Sequence, residues 1–385
     1  MTPFVLLGAL MKSSLFVGQP DGPRVIAEAA IVVHAESGRV LWGRNVDMPM
    51  YPASTTKLLT AMVLLEATSA EDVLVAPIGV EEIKGSSLHL KVGERITVEA
   101  ALYALMIRSA NDVGFAVAMQ LDGSLEGFAA RMQAYSDKLG MKNSTWFTPH
   151  GLNHPWHKTT ARDMAKLGLA ASKNEKLVRI AGTKKYTIQR DVNLEDTLLA
   201  TRNELLESDS TLLGFKTGYT NPAGKCFVGY QETKIGRIVT VILNSTDYVA
   251  DQKALSKWSG EVFKERDLGR EIPPRMMVKN QAEESGIGIE AEKATAWLSD
   301  FDLSSMRVEL PDLIAPVEAG QDLGAAKMIL ADGTRIDVPI RATTAMKAKV
   351  DYREWLKNPT MIGAIVLASI FFWHRRRIHD QINSH

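Results

Sequence analysis

Cysteine is nearly absent from this 385-residue sequence: Cys226 stands alone, so no intrachain disulfide framework staples the fold. Net charge is absent too. The 45 basic and 45 acidic residues cancel, leaving no standing field to draw the chain to nucleic acid or another polyanion. There is no internal repeat and no low-complexity segment, which excludes a solenoid or an extended disordered tract. His150, His154 and His157 lie close together but without a Glu or Asp at ligand spacing, so a structural loop is expected there and no metal site. What is present is ordinary for a folded protein: 45% hydrophobic and 23% charged residues, over a length that favours two or three domains.

The two ends differ from the middle. Pro3 to Met11 is an apolar run of the length of a signal-peptide core, closed by Lys12, and residues 1–23 are expected to be a leader. Met361 to Trp373 carries no charge and runs into His374-Arg375-Arg376-Arg377. Counted from Trp355 to Trp373, a helix would rise about 27 Å, close to the hydrocarbon thickness of a bilayer, with a tryptophan at each interface. The expectation is a transmembrane helix over about 356–373, within a C-terminal anchor at 351–385 that ends in a short basic tail.

Between the ends, Glu28–His34 and Arg39–Asn45 are β-rich runs around the turn Ser37-Gly38 and predict a hairpin. Pro52 precedes a helix expected from about Ser54 to Thr68, apolar on nearly all faces beyond Lys57 and therefore buried. Thr97 is placed to cap a second helix ending near Arg108, which puts Ser109 and Asn111 on the following turn. A largely helical stretch to about residue 180 is followed by three expected strands, 213–216, 225–231 and 237–244. Beyond Glu271-Ile272-Pro273-Pro274 come short strands and frequent turns, with Asp332-Gly333 marking a hairpin. The fold class is thus α/β (α+β): a central, mostly antiparallel sheet flanked by helices at 24–268, then a small all-β domain at 269–350, then the transmembrane helix.

Three short strings carry chemistry: Ser54-Thr55-Thr56-Lys57, Ser109-Ala110-Asn111 and Lys216-Thr217-Gly218. Ser54 and Lys57 share one face of a helix. A serine hydroxyl needs a neighbour to take its proton, and a lysine does so if burial and nearby cations, Lys216 among them, lower its pKa. Ser109 and Asn111 offer a hydroxyl to relay a proton and an amide to hold a peptide group. Lys216 and Thr217 offer a cation and a hydroxyl to a carboxylate, and Gly218 removes a side chain where substrate backbone approaches. Each string alone also fits a helix cap, a terminating turn or an edge strand; the ordered set points to acyl transfer. Cys226, on an apolar strand, reads as a small buried hydrophobe.

The runs YPASTTKLLTAMVLLE, GSSLHLKVGERITVEAALYALMIRSANDVG and GFKTGYTNPAGKCFVGY resemble low-molecular-weight penicillin-binding proteins, the serine-type D-Ala-D-Ala carboxypeptidases. His150-Gly151-Leu152, Thr160–Met164 and Asn203 support the likeness, which covers about residues 28–265; residues 315–340 are similar to that family's C-terminal β-domain. The resemblance implies a serine transpeptidase/β-lactamase-like fold and a Ser54 acyl-enzyme formed from peptidoglycan stem peptides. It makes Lys57 the base, Ser109 and Asn111 the handlers of leaving group and backbone, and Lys216, Thr217 and Gly218 the carboxylate site. The backbone N–H groups of Ser54 and Tyr219 become the oxyanion hole. It implies no cofactor, covalent inhibition by β-lactams, and a cell-membrane location with the catalytic domain on the extracytoplasmic face. One departure stands out: where relatives often carry an arginine, this chain reads Asn244-Ser245-Thr246-Asp247-Tyr248-Val249.

Rivals differ in what they require. A class A β-lactamase needs a Glu-x-x-x-Asn string between the second and third motifs. The glutamates at 126, 175, 195, 204 and 207 are followed four residues on by Ala130, Arg179, Leu199, Ser208 and Thr211. A non-turnover β-lactam sensor needs a signalling domain, and only about ten residues follow the expected anchor. A cross-link endopeptidase would use the same catalytic set.

Overall fold

All six residues of Ala29–His34 are buried in the computed structural model, which describes residues 22–280, 283–349, 357 and 359–382. These six form β1, whose sides feed two separate cores. Ile31 and Val33 pack with Leu58, Leu59 and Leu64, whereas Ala30 and Val32 pack with Leu255 and Trp258. A strand covered on both faces reads as a continuous apolar run rather than an alternation.

β2 (Val40–Arg44) returns antiparallel to β1 through the expected turn at Gly38, where φ is +70°. A 3₁₀ turn, Ala53–Thr55, leads into α1 (Thr56–Ala67), buried without interruption from Thr56 to Leu64. The short pair β3 (Val73–Val75) and β4 (Arg95–Thr97) precedes α2 (Val98–Tyr103), which Thr97 caps by accepting from the Ala100 N–H at 3.1 Å. Four more helices follow: α3 (Asn111–Asp122), α4 (Leu125–Lys138), α5 (Ala161–Ser172) and α6 (Glu175–Ala181). Another short pair, β5 (Lys185–Thr187) and β6 (Leu198–Ala200), and α7 (Glu204–Ser208) lead to the long strands.

Those strands are β7 (Leu212–Thr220), β8 (Gly224–Thr233) and β9 (Gly236–Ser245), and they complete a five-stranded antiparallel sheet ordered β2-β1-β9-β8-β7. β7 is therefore an edge strand. Helices α1 to α6 fill one face of the sheet; α8 (Tyr248–Val262) covers the other with Leu255 and Trp258. On the α8 side, Thr240 donates to Gln252 Oε1 (2.6 Å) and Gln252 Nε2 donates to Gln231 Oε1 (2.7 Å). Each buried polar group in that chain finds a partner, which avoids the cost of an unmade bond.

The chain divides into two compact units, one running up to Glu265 with Trp297–Ser304 added, the other comprising Arg266–Ala296 and the chain from Ser305. The short elements between them in sequence are β10 (Lys264–Asp267), β13 (Thr295–Leu298) and α9 (Asp300–Ser305). The second unit holds β11 (Arg275–Asn280), β12 (Glu283–Ala291), β14 (Arg307–Glu309), β15 (Asp322–Ile329) and β16 (Arg335–Ala342), in the order β11-β12-β16-β15-β14. Burial alternates along β11, with Met276 and Val278 inward, as in a sheet covered on one face. The expected hairpin turn is present between β15 and β16: Gly333 takes φ of +81° and Asp332 accepts from the Thr334 N–H at 2.8 Å.

The C-terminal helix corrects one expectation. It is α10 (Pro359–Ile382), and no described helix is long and apolar enough to cross a membrane. The reason lies in where it starts. A helix beginning at Pro359 rather than about 356 reaches Arg375 and Arg376 within its first 18 residues, so its uncharged part is too short for a bilayer core. The transmembrane helix is withdrawn, and with it the membrane as a partner and the cell-membrane location. The expected leader falls outside the described residues except for Gly22 and Pro23, as do residues 351–356, 358 and 383–385 of the expected anchor.

Candidate active site

Ser54 sits in the middle of the 3₁₀ turn, two residues before α1 begins, rather than opening the helix itself. Pro52 and the left-handed Ala53 (φ +49°) set this offset. A non-glycine residue in that region is uncommon and is held only where surrounding structure imposes it. The restraints are visible: Thr55 Oγ1 donates to the Pro52 carbonyl at 2.6 Å and Thr56 Oγ1 to the Ala53 carbonyl at 2.8 Å. Lys57 follows on the first turn of α1, and its Nζ lies 2.9 Å from Ser54 Oγ and 2.8 Å from the His150 carbonyl. Its side chain is wholly buried. Burial first, then the neighbouring Lys216, hold the Lys57 pKa well below the ordinary lysine value; Asp112 opposes them, and Arg202 adds a smaller push downward.

The second motif differs from its expected placement. α2 runs into a π-helical turn, Ala104–Arg108, which ends at Ser109 in the left-handed region (φ +61°). Ala110 is extended and Asn111 opens α3, so Asn111 stands on a helix and not on the turn. The Asn111 N–H donates to the Ser86 carbonyl and its Nδ2 to the Lys84 carbonyl, each at 2.7 Å, while its buried Oδ1 has no partner. Asp112 binds the same segment, accepting from Ser87 Oγ (2.7 Å) and from the Leu88 and Leu90 N–H groups (both 3.0 Å). Further along, the wholly buried pair Arg190–Glu94, at 2.6 Å, carries Arg190 Nη1 to the Leu88 carbonyl. Residues 84–94 are thereby folded down onto the second motif.

The third motif lies on the edge strand β7. Lys216 is buried and donates to the Thr217 carbonyl at 2.9 Å; burial, then the field of Arg202, lowers its pKa to about 7. A Cβ at Gly218 would sit 2.8 Å from the Ser54 nitrogen, so the strand passes against the serine turn as closely as backbone allows. Thr217 is half-buried and Tyr219 exposed. Cys226 pairs with Gly218 across β7 and β8, and burial pushes its thiol up to about 12, an unreactive state.

Sequence reasoning did not foresee what holds the serine turn from behind. His157 Nδ1 accepts from the Phe147 N–H at 3.0 Å, which leaves the proton on Nε2 to be donated to Thr56 Oγ1, also at 3.0 Å. Burial lowers the His157 pKa to about 3 and that of His150 likewise, so both rings are neutral at physiological pH. The histidine-rich loop is thus engaged in positioning Thr56 and, through the His150 carbonyl, Lys57. Among the described residues no cluster of three or more His, Cys, Asp or Glu is arranged to hold a metal ion.

A central antiparallel sheet with helices on both faces, and a serine hydrogen-bonded to a buried lysine beside the sheet edge, fit one enzyme class, the serine hydrolases. Residues 17–247 match the D-alanyl-D-alanine carboxypeptidase family, and the chain belongs to it. It is similar to D-alanyl-D-alanine carboxypeptidase DacF of Bacillus subtilis, 25% identical over 92% of this chain and 96% of that protein. It is also similar to D-alanyl-D-alanine carboxypeptidase DacC of Escherichia coli, 30% identical over 79% of this chain and 80% of that protein. Among solved structures, D-alanyl-D-alanine carboxypeptidase DacD of Francisella tularensis superposes with a TM-score of 0.67 over 89% of this chain and 99% of that one, at 20% identity, a likeness of fold. The protein is a serine-type peptidase of the D-Ala-D-Ala carboxypeptidase and transpeptidase kind.

Proposed function

We propose that the protein removes the terminal D-alanine from peptidoglycan stem pentapeptides through a Ser54 acyl-enzyme, which limits cross-linking. The observation that carries this reading is the 2.9 Å contact between Ser54 Oγ and the Nζ of a buried, pKa-lowered Lys57. Lys57 takes the Ser54 proton as Oγ attacks the penultimate D-alanine carbonyl, and the backbone N–H groups of Ser54 and Tyr219 receive the developing oxyanion. The C–N bond breaks as Ser109 passes a proton to the departing D-alanine amine. Water then hydrolyses the ester and returns the proton to the Ser54 oxygen. Asn111 holds a substrate amide; Lys216 and Thr217 bind the free carboxylate, and Gly218 keeps the edge of β7 clear. β-Lactams acylate the same oxygen. The missing Glu-x-x-x-Asn string predicts that this ester is released slowly.

The test is D-alanine release from a peptide ending in D-Ala-D-Ala, by the full chain and by Ser54→Ala. Release by the first and none by the second is expected. Release by Ser54→Ala would remove Ser54 as nucleophile. Cleavage confined to cross-linked peptide dimers would move the reading to an endopeptidase.

A pH dependence follows from the two lysines. The Lys57 pKa is lowered, so its neutral, basic form gains population as pH rises. Lys216 is needed charged, and it loses its proton as pH rises through about 7. In the free enzyme the second-order rate of β-lactam acylation is therefore expected to rise from acid pH and fall again on the alkaline side of about 7. A rate still climbing at pH 9 would show that the Lys216 charge is not required.

A further inference from the structure

The Ala53 carbonyl and the Ser54 N–H are the two ends of one trans peptide unit and point in opposite directions. Whatever holds the carbonyl therefore aims the N–H. The structure presses on this unit from both ends. A Cβ added to Gly218 of β7 would lie 2.8 Å from the Ser54 nitrogen, and one added to Gly151 would strike the Ala53 oxygen. The nitrogen thus faces the edge strand, and the carbonyl oxygen faces the loop that carries His150 and His157.

Hydrogen bonds fix the carbonyl as well as packing does. It accepts twice from Thr56, from the backbone N–H and from Oγ1 at 2.8 Å. A hydroxyl has one proton to give. With that proton on Ala53, Thr56 Oγ1 accepts the Nε2 proton of His157 at 3.0 Å. His157 is fixed in turn: its Nδ1 accepts from the Phe147 N–H at 3.0 Å, and Trp146 meets its ring edge-on, 5.3 Å between centroids. Ala53, Thr56, Trp146 and His157 are all buried. In such a chain each hydrogen bond polarises the next. A carbonyl that accepts two of them takes on more of the C–N double-bond form, which makes the N–H at its other end a stronger donor.

We propose that His157 and Thr56 are positioning residues for the oxyanion hole: the chain from the buried imidazole through the Thr56 hydroxyl to the Ala53 carbonyl aims and strengthens the Ser54 N–H. The inference rests on the Ser54 acyl-transfer reading and adds what sets the direction of its electrostatic donor. Both side chains are buried, so neither touches substrate, and neither shares in the proton transfer between Ser54 and Lys57. Their effect falls on the charge that develops as the tetrahedral intermediate forms.

The experiment follows acylation of the full chain by benzylpenicillin, isotope-labelled at the β-lactam carbonyl, in the wild type, His157→Leu and His157→Gln. Stopped-flow kinetics separate the encounter constant from the acylation step, and infrared difference spectra give the stretching band of the acyl-enzyme ester carbonyl, whose oxygen lies in the oxyanion hole. Thermal unfolding checks the fold. His157→Leu is expected to slow the acylation step by about 10- to 100-fold, less than the roughly 10²- to 10³-fold cost of deleting an oxyanion donor, with the encounter constant within about twofold of wild type. Its ester band is expected at higher wavenumber, as the hydrogen bond to that carbonyl weakens. His157→Gln, which keeps an N–H donor of similar reach, is expected to recover most of the rate and the wild-type band. A slower step with the band unmoved would overturn the proposal, since His157 would then only support the fold. An unchanged acylation step in His157→Leu would overturn it too. If that variant does not fold, Thr56→Val set against Thr56→Ser reads the same quantities, and an unmoved band in Thr56→Val overturns the proposal. The peptidase reading fails separately: a wild type that forms the ester yet releases no D-alanine from its peptide substrate would sink that reading and leave the assignment of His157 and Thr56 standing.

Discussion

Replacing Lys57 by methionine is expected to slow acylation of Ser54 by a β-lactam by about 10²- to 10⁴-fold, the usual worth of a positioned general base, while the protein stays folded. Methionine is chosen because it keeps the length and burial of the lysine stem. Lys57 is completely buried, and truncation to alanine would add a cavity to the chemical loss. What methionine removes is the one amine within hydrogen-bond distance of Ser54 Oγ among the described residues. It also leaves the His150 carbonyl without the donor it has at 2.8 Å, a cost of about 1–3 kcal/mol. That cost is offset in part because no amine need then be desolvated. Stopped-flow acylation and a denaturant melt on the same samples separate the two effects. A variant that unfolds only slightly earlier yet loses acylation fits a base; one that keeps its acylation rate would mean that Ser54 is deprotonated by another group.

Part of this arrangement was legible in the sequence because it is local. Three residues of spacing put Ser54 and Lys57 on one side of a helical turn whichever helix type is formed, so the offset between the 3₁₀ turn and α1 did not disturb the pairing. The continuous apolar run of α1 announced burial on nearly all sides, and the core it packs into accounts for it. The hairpin signals at Gly38 and Asp332-Gly333 likewise needed only the residues at the turn. The placement of Asn111 failed for a local reason as well. Ser109 ends one helix in the left-handed region and the extended Ala110 starts the next at once, so no turn is left for Asn111 to occupy.

The supports of the site were not legible because their partners are distant in sequence. Thr56 meets His157, Leu88 meets Arg190 and Ser86 meets Arg202, each across about a hundred residues; no pattern within any one segment names the other. The C-terminal helix misled in the opposite direction. Composition gave the apolar run, but whether it spans depends on the residue at which helix begins, and Pro359, suited to a first helical turn, marks that start.

Gly151→Ala is expected to destabilise the protein by about 2–5 kcal/mol, from the left-handed backbone and from overpacking together. It should also lower the acylation rate about 100-fold or more, as expected when a reacting group shifts by an ångström. Gly151 has φ of +79°, and a Cβ there would lie 1.8 Å from the Ala53 carbonyl oxygen and 2.8 Å from Thr56 Oγ1. The oxygen it would strike is the one that accepts from Thr56 Oγ1, and Ala53 is the left-handed residue immediately before Ser54. Neither backbone can move without moving the other, since the His150 carbonyl on the same loop is bonded to Lys57. Gly123→Ala separates clash from strain: Gly123 has φ of +67° at the end of α3, and a Cβ there meets nothing within 4 Å. That variant should lose only the conformational part, about 1–2 kcal/mol, and acylate at the wild-type rate. Chemical denaturation gives the first comparison and β-lactam acylation the second. Equal losses of acylation in the two variants would mean that the serine turn does not depend on the Gly151 contact.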